Sequence, residues 1–316
     1  MLSKVPVECP AHLLDQAGAL PTVATAVVNP VNRVSLESAQ MATQAGLIEP
    51  ILIGDADLIY RLADELEWDL AAVRVADAGT EAEAARIAVG SVAAGETQSL
   101  MKGHLHTDTL LKAVLSRDAG LRTSRRLSHV FHMTVPGHAR PLCITDAVIN
   151  VQPSVVDKAH ILRNAIDLLH ALDITRPKVA LLSGTEEVSR AMPSSVDAGE
   201  LVKLASLGGM QDAIIEGPMA FDNAISRVAA DLKGMNSQVA GDVDLLLVPN
   251  IETGNCMFKQ MVYFMSAAAA GLVLGARVPI ILTSRAAPRG ASGILRSGLH
   301  LQPLSGTERN IAASPG

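Results

Sequence analysis

The sequence predicts an α/β fold of two domains, each with a mostly parallel sheet flanked by helices. From Thr22 onward, apolar runs of strand length alternate with segments of helical periodicity. Hydrophobic residues make up 49% of the chain and aromatic residues only 2%, so aliphatic side chains must fill the cores. With 316 residues, the chain is long enough for about two domains.

The first half of the chain alternates strands with helices of about ten residues, which is typical of βαβ units. A Pro136–Gly137 break within TVPGHAR marks the predicted domain boundary. The elements predicted in this half are strands at 22–28, 51–53, 73–75 and 127–133, a strand ending near Leu100, and helices at 35–45, 56–65, 81–94 and 107–115.

The second half repeats this alternation behind a capping-box pair, Ser154 and Asp157. The apolar face of the helix behind that pair is formed by Val155, Ala159, Leu162, Ile166 and Leu169. The further predicted elements are strands at 178–182, 213–215, 245–248 and 278–282, and helices at 196–205, 222–230 and from the turn 249–255 to about 270.

Composition excludes several classes of function. Few aromatic residues and a pI near 5.8 argue against a nucleic-acid partner. The apolar stretch 264–282 is interrupted by Arg277 and Pro279, so it is interpreted as a buried helix followed by a buried strand, and no membrane association is expected. Three scattered cysteines, Cys9, Cys143 and Cys256, predict reduced thiols in a cytoplasmic protein.

A local concentration of arginine stands out in a chain of net charge −6. Guanidinium groups beside Ser and Thr hydroxyls suit phosphate, which predicts an anion site. The alternative is a solvated basic surface or a subunit contact. The arginines are Arg117, Arg122, Arg125 and Arg126, with Asp118 as the one acid among them.

Several catalytic motifs are missing from the sequence. It contains no G-x-S-x-G, no P-loop, no G-x-G-x-x-G and no H-E-x-x-H, which argues against the serine hydrolases, nucleoside triphosphatases, Rossmann dehydrogenases and zincins that these motifs mark. His104 and His106 are spaced as metal ligands on a strand can be, but the favoured interpretation is histidines hydrogen-bonded beside an anion site, with no metal.

Two predicted strand ends carry further candidate site residues. After Val248, the turn places Gly254 where a backbone can approach a ligand and Asn255 where it can cap the next helix. After Leu282, Ser284 and Arg285 put a hydroxyl and a guanidinium at a strand's carboxyl end, where open α/β sheets bind ligands. A plain loop is the alternative for this pair.

From Thr22 to about Arg285 the chain resembles the phosphate acetyltransferase/phosphate butyryltransferase family. The matching segments follow the family's order and spacing, which is more specific than any one of them. They are MKGHLHTDTLLKAV, GLRTSRRLSHVFHM, ITDAVINVQPS, VALLSGTEE, IIEGPMAFDNAI, VAGDVDLLLVPNIETGNCMFKQM and LTSR.

The resemblance implies a fold like that of isocitrate and isopropylmalate dehydrogenases, with the active site in the cleft between two domains, and usually a homodimer. The first domain would be discontinuous, formed by residues 1–136 and 276–316, with the second domain, 137–275, inserted between them.

The resemblance also implies reversible acyl transfer between coenzyme A and inorganic phosphate, giving acyl phosphate, without a cofactor. Ser284 and Arg285 match the family's catalytic Ser-Arg pair. The implied ligands of phosphate or of the coenzyme A phosphates, and the residues lining the cleft, are Lys102, Gly103, Arg125, Arg126, Ser128, Gly254, Asn255 and Lys259.

The chain departs from the family pattern at its C-terminus. Family members place a general-base Asp a few residues after the Ser-Arg pair, whereas this sequence has no carboxylate from Ala286 until Glu308. Three interpretations therefore stand beside an acetyltransferase: a butyryltransferase, a catalytically impaired relative that still binds coenzyme A or acyl phosphate, and, more distantly, a decarboxylating-dehydrogenase-type oxidoreductase.

Overall fold

A computed structural model of the chain describes residues 2–3, 15, 17–138 and 140–282. The strands are β1 (Val23–Val28), β2 (Ile48–Gly54), β3 (Arg74–Asp77), β4 (Ser99–Lys102), β5 (Ser128–Thr134), β6 (Leu142–Thr145), β7 (Lys178–Leu182), β8 (Ile214–Met219), β9 (Leu245–Leu247), β10 (Ala268–Leu274) and β11 (Ile280–Leu282). The α-helices are α1 (Arg33–Gln44), α2 (Ala56–Glu65), α3 (Glu81–Ala93), α4 (Thr107–Val114), α5 (Val155–Ala171), α6 (Pro193–Leu204), α7 (Phe221–Ile225), α8 (Arg227–Leu232) and α9 (Ile251–Met265).

All these strands form one sheet, in the order β3-β2-β1-β4-β11-β10-β5-β6-β9-β7-β8. Pairing is parallel except where β10 meets β11 and β5 and where β5 meets β6. The prediction of a mostly parallel sheet flanked by helices is therefore confirmed. The sheet runs through both predicted domains, and their division stays a prediction.

The antiparallel strands in the middle reverse the direction of the sheet. Strands β6, β7, β8 and β9 run opposite to β1, β2, β3, β4 and β11, so the two groups end at opposite edges. Lys102 and Leu282, paired with each other, lie at the carboxyl ends of β4 and β11. Thr145 and Leu247, also paired, lie at the carboxyl ends of β6 and β9.

Helix α5 confirms the sequence pattern that predicted it. Ser154 and Asp157 form a reciprocal capping box at its start. Four residues of its predicted apolar face are buried against the sheet, and Val155 packs beside them partly buried. The four buried residues are Ala159, Leu162, Ile166 and Leu169.

The predicted helix to about residue 270 is wrong at its end, and so is the interpretation of 264–282 as a helix followed by a strand. Helix α9 ends at Met265, because Ser266 adopts a left-handed conformation with φ 52°. The alanine-rich segment behind it is strand β10, which pairs with β5 over its whole length and is buried throughout. Tertiary pairing thus overrides the helix propensity of alanine.

Two other elements differ from the prediction. Strand β6 has only four residues, too few to show alternation, and the sequence predicts no strand there. The single helix predicted at 222–230 is two helices, because Ser226 leaves the helical conformation and caps α8 through Ala229 N.

Within the described ranges, no helix is both long and apolar enough to cross a membrane. The break at Pro136 and Gly137 is the turn that joins the antiparallel pair β5 and β6.

The packing of α5 on the sheet predicts a position-dependent loss of stability. Leu162 is fully buried, so Leu162→Ala should lower the free energy of unfolding by about 2–5 kcal/mol in urea denaturation. Val156, on the same helix, is 65% exposed, and Val156→Ala is expected to change it by less than about 0.5 kcal/mol. Similar effects of both substitutions would contradict the assigned face.

Candidate functional site

Arg125 and Arg126 lie just before β5, at the edge of the sheet where β6 and β9 end. The loop that carries them is anchored to the residue after β10, because Thr123 Oγ1 donates to the carbonyl of Gly275. Arg125 N in turn donates to Thr123 Oγ1 at 3.0 Å. Both predicted anion ligands are therefore on an ordered loop.

Both guanidinium groups are engaged by carboxylates of α5. Arg125 forms an ion pair with Asp167, and its side chain is 22% exposed. Arg126 Nη1 donates to Asp157 Oδ1 at 3.0 Å, while its Nε donates to Asn150 Oδ1. The Arg126 side chain is 51% exposed, so part of its guanidinium faces solvent.

The pKa of Asp157 reflects these contacts. Burial alone acts to raise it, but hydrogen bonds from Ser154 and the charge of Arg126 outweigh burial, so the pKa lies below its usual value. Asp157 is therefore ionised at neutral pH and keeps its attraction for Arg126.

Asp146, directly after β6, is the buried centre of this region. Its carboxylate accepts hydrogen bonds from the backbone N–H groups of His129, Val148 and Ile149 and from Asn150 Nδ2, at 2.6–3.1 Å. Burial raises the pKa of Asp146, although these hydrogen bonds act in the opposite direction. The carboxylate thus fixes the loop after β6 to the first residues of β5.

Sequence reasoning assigned no role to Asp146 or Asn150. Both occur in the stretch ITDAVINVQPS, and the available signal was an acid placed directly after a buried apolar run, with an amide four residues later. Their importance follows only from the pairing of β5 with β6, which sequence spacing does not reveal.

Ser128 lies at the start of β5 and is fully buried. Its hydroxyl accepts a hydrogen bond at 2.9 Å from Asn164 Nδ2, which also donates to the carbonyl of Arg126 at 2.9 Å. In this structure Ser128 ties the arginine loop to α5.

The turn prediction at 249–255 is wrong in detail. Asn250 caps α9 by accepting from Thr253 N at 3.0 Å, so Gly254 and Asn255 are in the first turns of the helix and Asn255 is not the cap. The first polar residue after Val248 able to accept that bond is Asn250, which explains the earlier helix start.

Gly254 and Asn255 nevertheless lie against the loop that follows β6. A Cβ atom on Gly254 would be 2.9 Å from Ala147 Cα, so only glycine allows this approach. Asn255 Nδ2 donates to the carbonyl of Ala147 at 3.3 Å. Lys259, one turn further along α9, is exposed.

Lys102 and Gly103 lie at the other edge of the sheet, at the carboxyl end of β4. Lys102 is partly buried, and its Nζ donates to the carbonyl of Gly103 at 3.3 Å. A Cβ on Gly103 would be 2.5 Å from the carbonyl oxygen of Val28, so the backbone crosses β1 closely there. Asn29 Nδ2 holds the next residue by donating to the carbonyl of His104 at 2.6 Å.

The structure thus brings some predicted site residues together and keeps others apart. One edge of the sheet carries the loop 146–150, the start of α9, and the predicted residues Arg125, Arg126 and Ser128. Strand β4 runs in the opposite direction to β6 and β9, so Lys102, its last residue, and Gly103, which follows it, lie at the other edge. Ser284 and Arg285 lie outside the described residues, two and three positions beyond Leu282.

Among the residues that the structure describes, no group of three or more His, Cys, Asp or Glu side chains is arranged to hold a metal ion. His104 Nδ1 is 2.9 Å from Asn32 Nδ2, and the backbone N–H of His106 donates to Glu81 Oε2 at 3.1 Å.

Burial raises the pKa of the Cys143 thiol to about 12, with a further contribution from Asp244, so this thiol is no nucleophile at neutral pH.

Comparison with known proteins gives consistent matches. A family model described as "Phosphate acetyl/butaryl transferase" matches residues 80–291. A phosphate acetyltransferase of Rickettsia typhi is 45% identical over 295 residues, covering 92% of this chain and 84% of the relative. A phosphate butyryltransferase of Clostridium beijerinckii is 39% identical, covering 87% of this chain and 91% of the relative.

Solved structures match as well. The crystal structure of a branched-chain phosphotransacylase from Enterococcus faecalis V583 superposes with a TM-score of 0.76 at 29% identity, covering 88% of this chain and 99% of that one.

His129, whose backbone binds Asp146, generates a pH prediction. Its ring is fully buried, and burial lowers its pKa to about 3, below the unfolded value of about 6.5. The stability due to the neutral ring is complete above pH ~6.5 and is lost as pH falls toward the folded pKa, because only the unfolded chain takes up the proton.

His129→Leu should therefore lose less stability on acidification than the wild type. Between pH 7 and pH 4.5 we expect the difference in lost unfolding free energy to be about 2–3 kcal/mol, measured by urea denaturation at both pH values. Equal losses in the two proteins would show that the ring titrates normally in the folded state.

Proposed function

The chain belongs to the phosphate acetyl/butyryl transferase family, and from this we infer that it is a phosphate acyltransferase. It converts acyl-CoA and inorganic phosphate reversibly into acyl phosphate and coenzyme A, with acetyl as the main acyl group. The observation that carries this inference is the 45% identity to a phosphate acetyltransferase over 92% of the chain. Because a butyryltransferase relative also matches, a longer acyl group such as butyryl is the second candidate.

The reaction sets clear requirements for the site. A phosphate oxygen attacks the thioester carbonyl carbon, a C–O bond forms, the C–S bond breaks, and coenzyme A leaves as a thiolate that takes up a proton. The site must hold two anionic substrates beside each other and stabilise the tetrahedral oxyanion. Fixed positive charge and hydrogen-bond donors meet these requirements without a metal or redox cofactor, and we propose none.

Arg125 and Arg126 are our proposed ligands of phosphate or of the coenzyme A phosphates. The solvent-facing part of the Arg126 guanidinium supports this role, since it can accept an anion without unfolding of its loop. Gly254 and Asn255 lie at the same edge in the first turns of α9, and Lys259, one turn further along, stays a proposed ligand with them. Ser128 holds the arginine loop in place, and its own contact with phosphate stays a prediction.

Ser284 and Arg285 are our proposed catalytic pair, with the hydroxyl donating to the developing charge and the guanidinium neutralising it. They follow Leu282, which pairs with Lys102, and this continuity supports a shared site with Lys102 and Gly103. The pair itself lies outside the described residues.

A homodimer is our proposal for the assembly. Exposed apolar side chains, two at i and i+4 on each of the short helices α7 and α8, support it, because exposed apolar surface of this kind marks a protein contact. They are Phe221, Ile225, Val228 and Leu232. We place the enzyme in the cytoplasm, and the free thiols of Cys143 and Cys256 fit a reducing compartment.

The proposed function predicts phosphate-dependent release of the coenzyme A thiol from acyl-CoA. Acetyl-, propionyl- and butyryl-CoA should be compared at several phosphate concentrations, with thiol detected by a chromogenic disulfide. Arg285→Ala should lower kcat by about 10²–10³ and weaken coenzyme A binding less, because its contact strengthens in the transition state.

Arg289→Ala is the matched control, since it removes the next arginine in the sequence and leaves Ser284 and Arg285 unchanged. No thiol release from any of the three thioesters, despite measurable coenzyme A binding, would favour the impaired relative. Equal losses in the two variants would remove Arg285 from the catalytic role.

A further inference from the structure

Arg126 is held on one side by a buried amide. Asn150 is 3% exposed, and its Nδ2 donates to Asp146 Oδ2 at 2.6 Å and to the carbonyl of Leu127 at 2.9 Å. With both amide hydrogens used in this way, Oδ1 is the atom presented to Arg126 Nε, from which it accepts. A reversed amide would set two donors against each other, so the orientation is fixed.

Asp146 is what fixes that orientation. Three backbone N–H groups and the Asn150 amide converge on one buried carboxylate, and a buried acceptor satisfied in this way resists displacement. The contact continues from Asp146 through Asn150 to Arg126, that is, from the core of the sheet to a half-exposed guanidinium.

The second partner of Arg126 does not provide the same constraint. Its ion pair with Asp157 is at the solvent-facing first turn of α5, and exposed pairs of this kind contribute little. The Nε contact with Asn150 therefore sets the plane of the guanidinium, and neither of these two contacts uses Nη2.

We propose that Asn150, oriented by Asp146, is a positioning residue that holds the Arg126 guanidinium for a phosphate group of the substrates. The proposal rests on the proposed function and deepens it. The ligand is a phosphate dianion, supplied either by inorganic phosphate or by a phosphate of coenzyme A, and the two sources are separated by which Michaelis constant changes.

A double-mutant cycle tests this. Asn150→Ala should raise the KM for phosphate, or that for acyl-CoA, about tenfold while kcat changes less, because one charge-assisted hydrogen bond is lost. Arg126→Ala should raise the same KM. Adding Asn150→Ala to Arg126→Ala should raise it no further, since Asn150 acts through the guanidinium.

Asn164→Ala is the matched control. Asn164 is equally buried and also contacts Arg126, but it donates to the backbone carbonyl and not to the guanidinium. Because Asn164 holds the loop that also carries Arg125, its effect on KM should persist when Arg126 is replaced by Ala. If Asn150→Ala does not fold, Asn150→Ser keeps a hydroxyl donor for Asp146 and replaces it in the cycle.

The outcomes separate this proposal from the proposed function. An active wild type in which the effects of Asn150→Ala and Arg126→Ala are additive, or in which they change different Michaelis constants, overturns the positioning role and leaves the acyltransferase intact. A wild type that releases no thiol contradicts the proposed function. In that case, the Kd of inorganic phosphate and the Kd of coenzyme A are measured for the same variants by isothermal titration. Non-additive effects on one Kd support the positioning role, and additive effects, or effects on different ligands, overturn it.

Discussion

The buried carboxylate of Asp146 is the interaction on which the arrangement of the site depends. A charge taken out of water is costly unless hydrogen bonds replace its hydration, and four donors from β5 and the loop after β6 offset part of that cost here. These hydrogen bonds connect the loop after β6 to the start of β5. In this loop, Ala147 contacts Gly254 in the first turn of α9, and Asn150 accepts a hydrogen bond from Arg126 of the arginine loop.

The sheet explains why that carboxylate is where it is. Because β5 and β6 are antiparallel, Asp146 at the end of β6 falls beside His129 near the start of β5, and with it beside the arginines. Strand β10 closes the other side of β5 with a run of small buried residues. Because of the same reversal of strand direction, β4 and β11 end at the opposite edge, where Lys102 and Leu282 lie.

Much of the fold was predictable from the sequence, because alternating apolar runs and capping signals are local. Helices α2 and α5 and strand β7 begin where the pattern indicated. What failed depends on distant partners: the alanines of β10 are a strand only because β5 pairs with them, and β6 is too short to be recognised alone. For the site, clustered charge indicated Arg125 and Arg126, whereas Asp146 and Asn150 are single polar residues whose role exists only through tertiary contacts. The functions of Ser284 and Arg285 stay predictions.

The central claim is that the edge formed by the arginine loop, the loop after β6 and the start of α9 binds a phosphate group of the substrates. Amide hydrogen exchange with and without saturating coenzyme A and phosphate tests it most directly. Slower exchange in peptides covering 122–128, 146–151 and 250–256 is the predicted result. Protection confined to the opposite edge of the sheet, for example to peptides covering 103–106 after β4, would contradict the account.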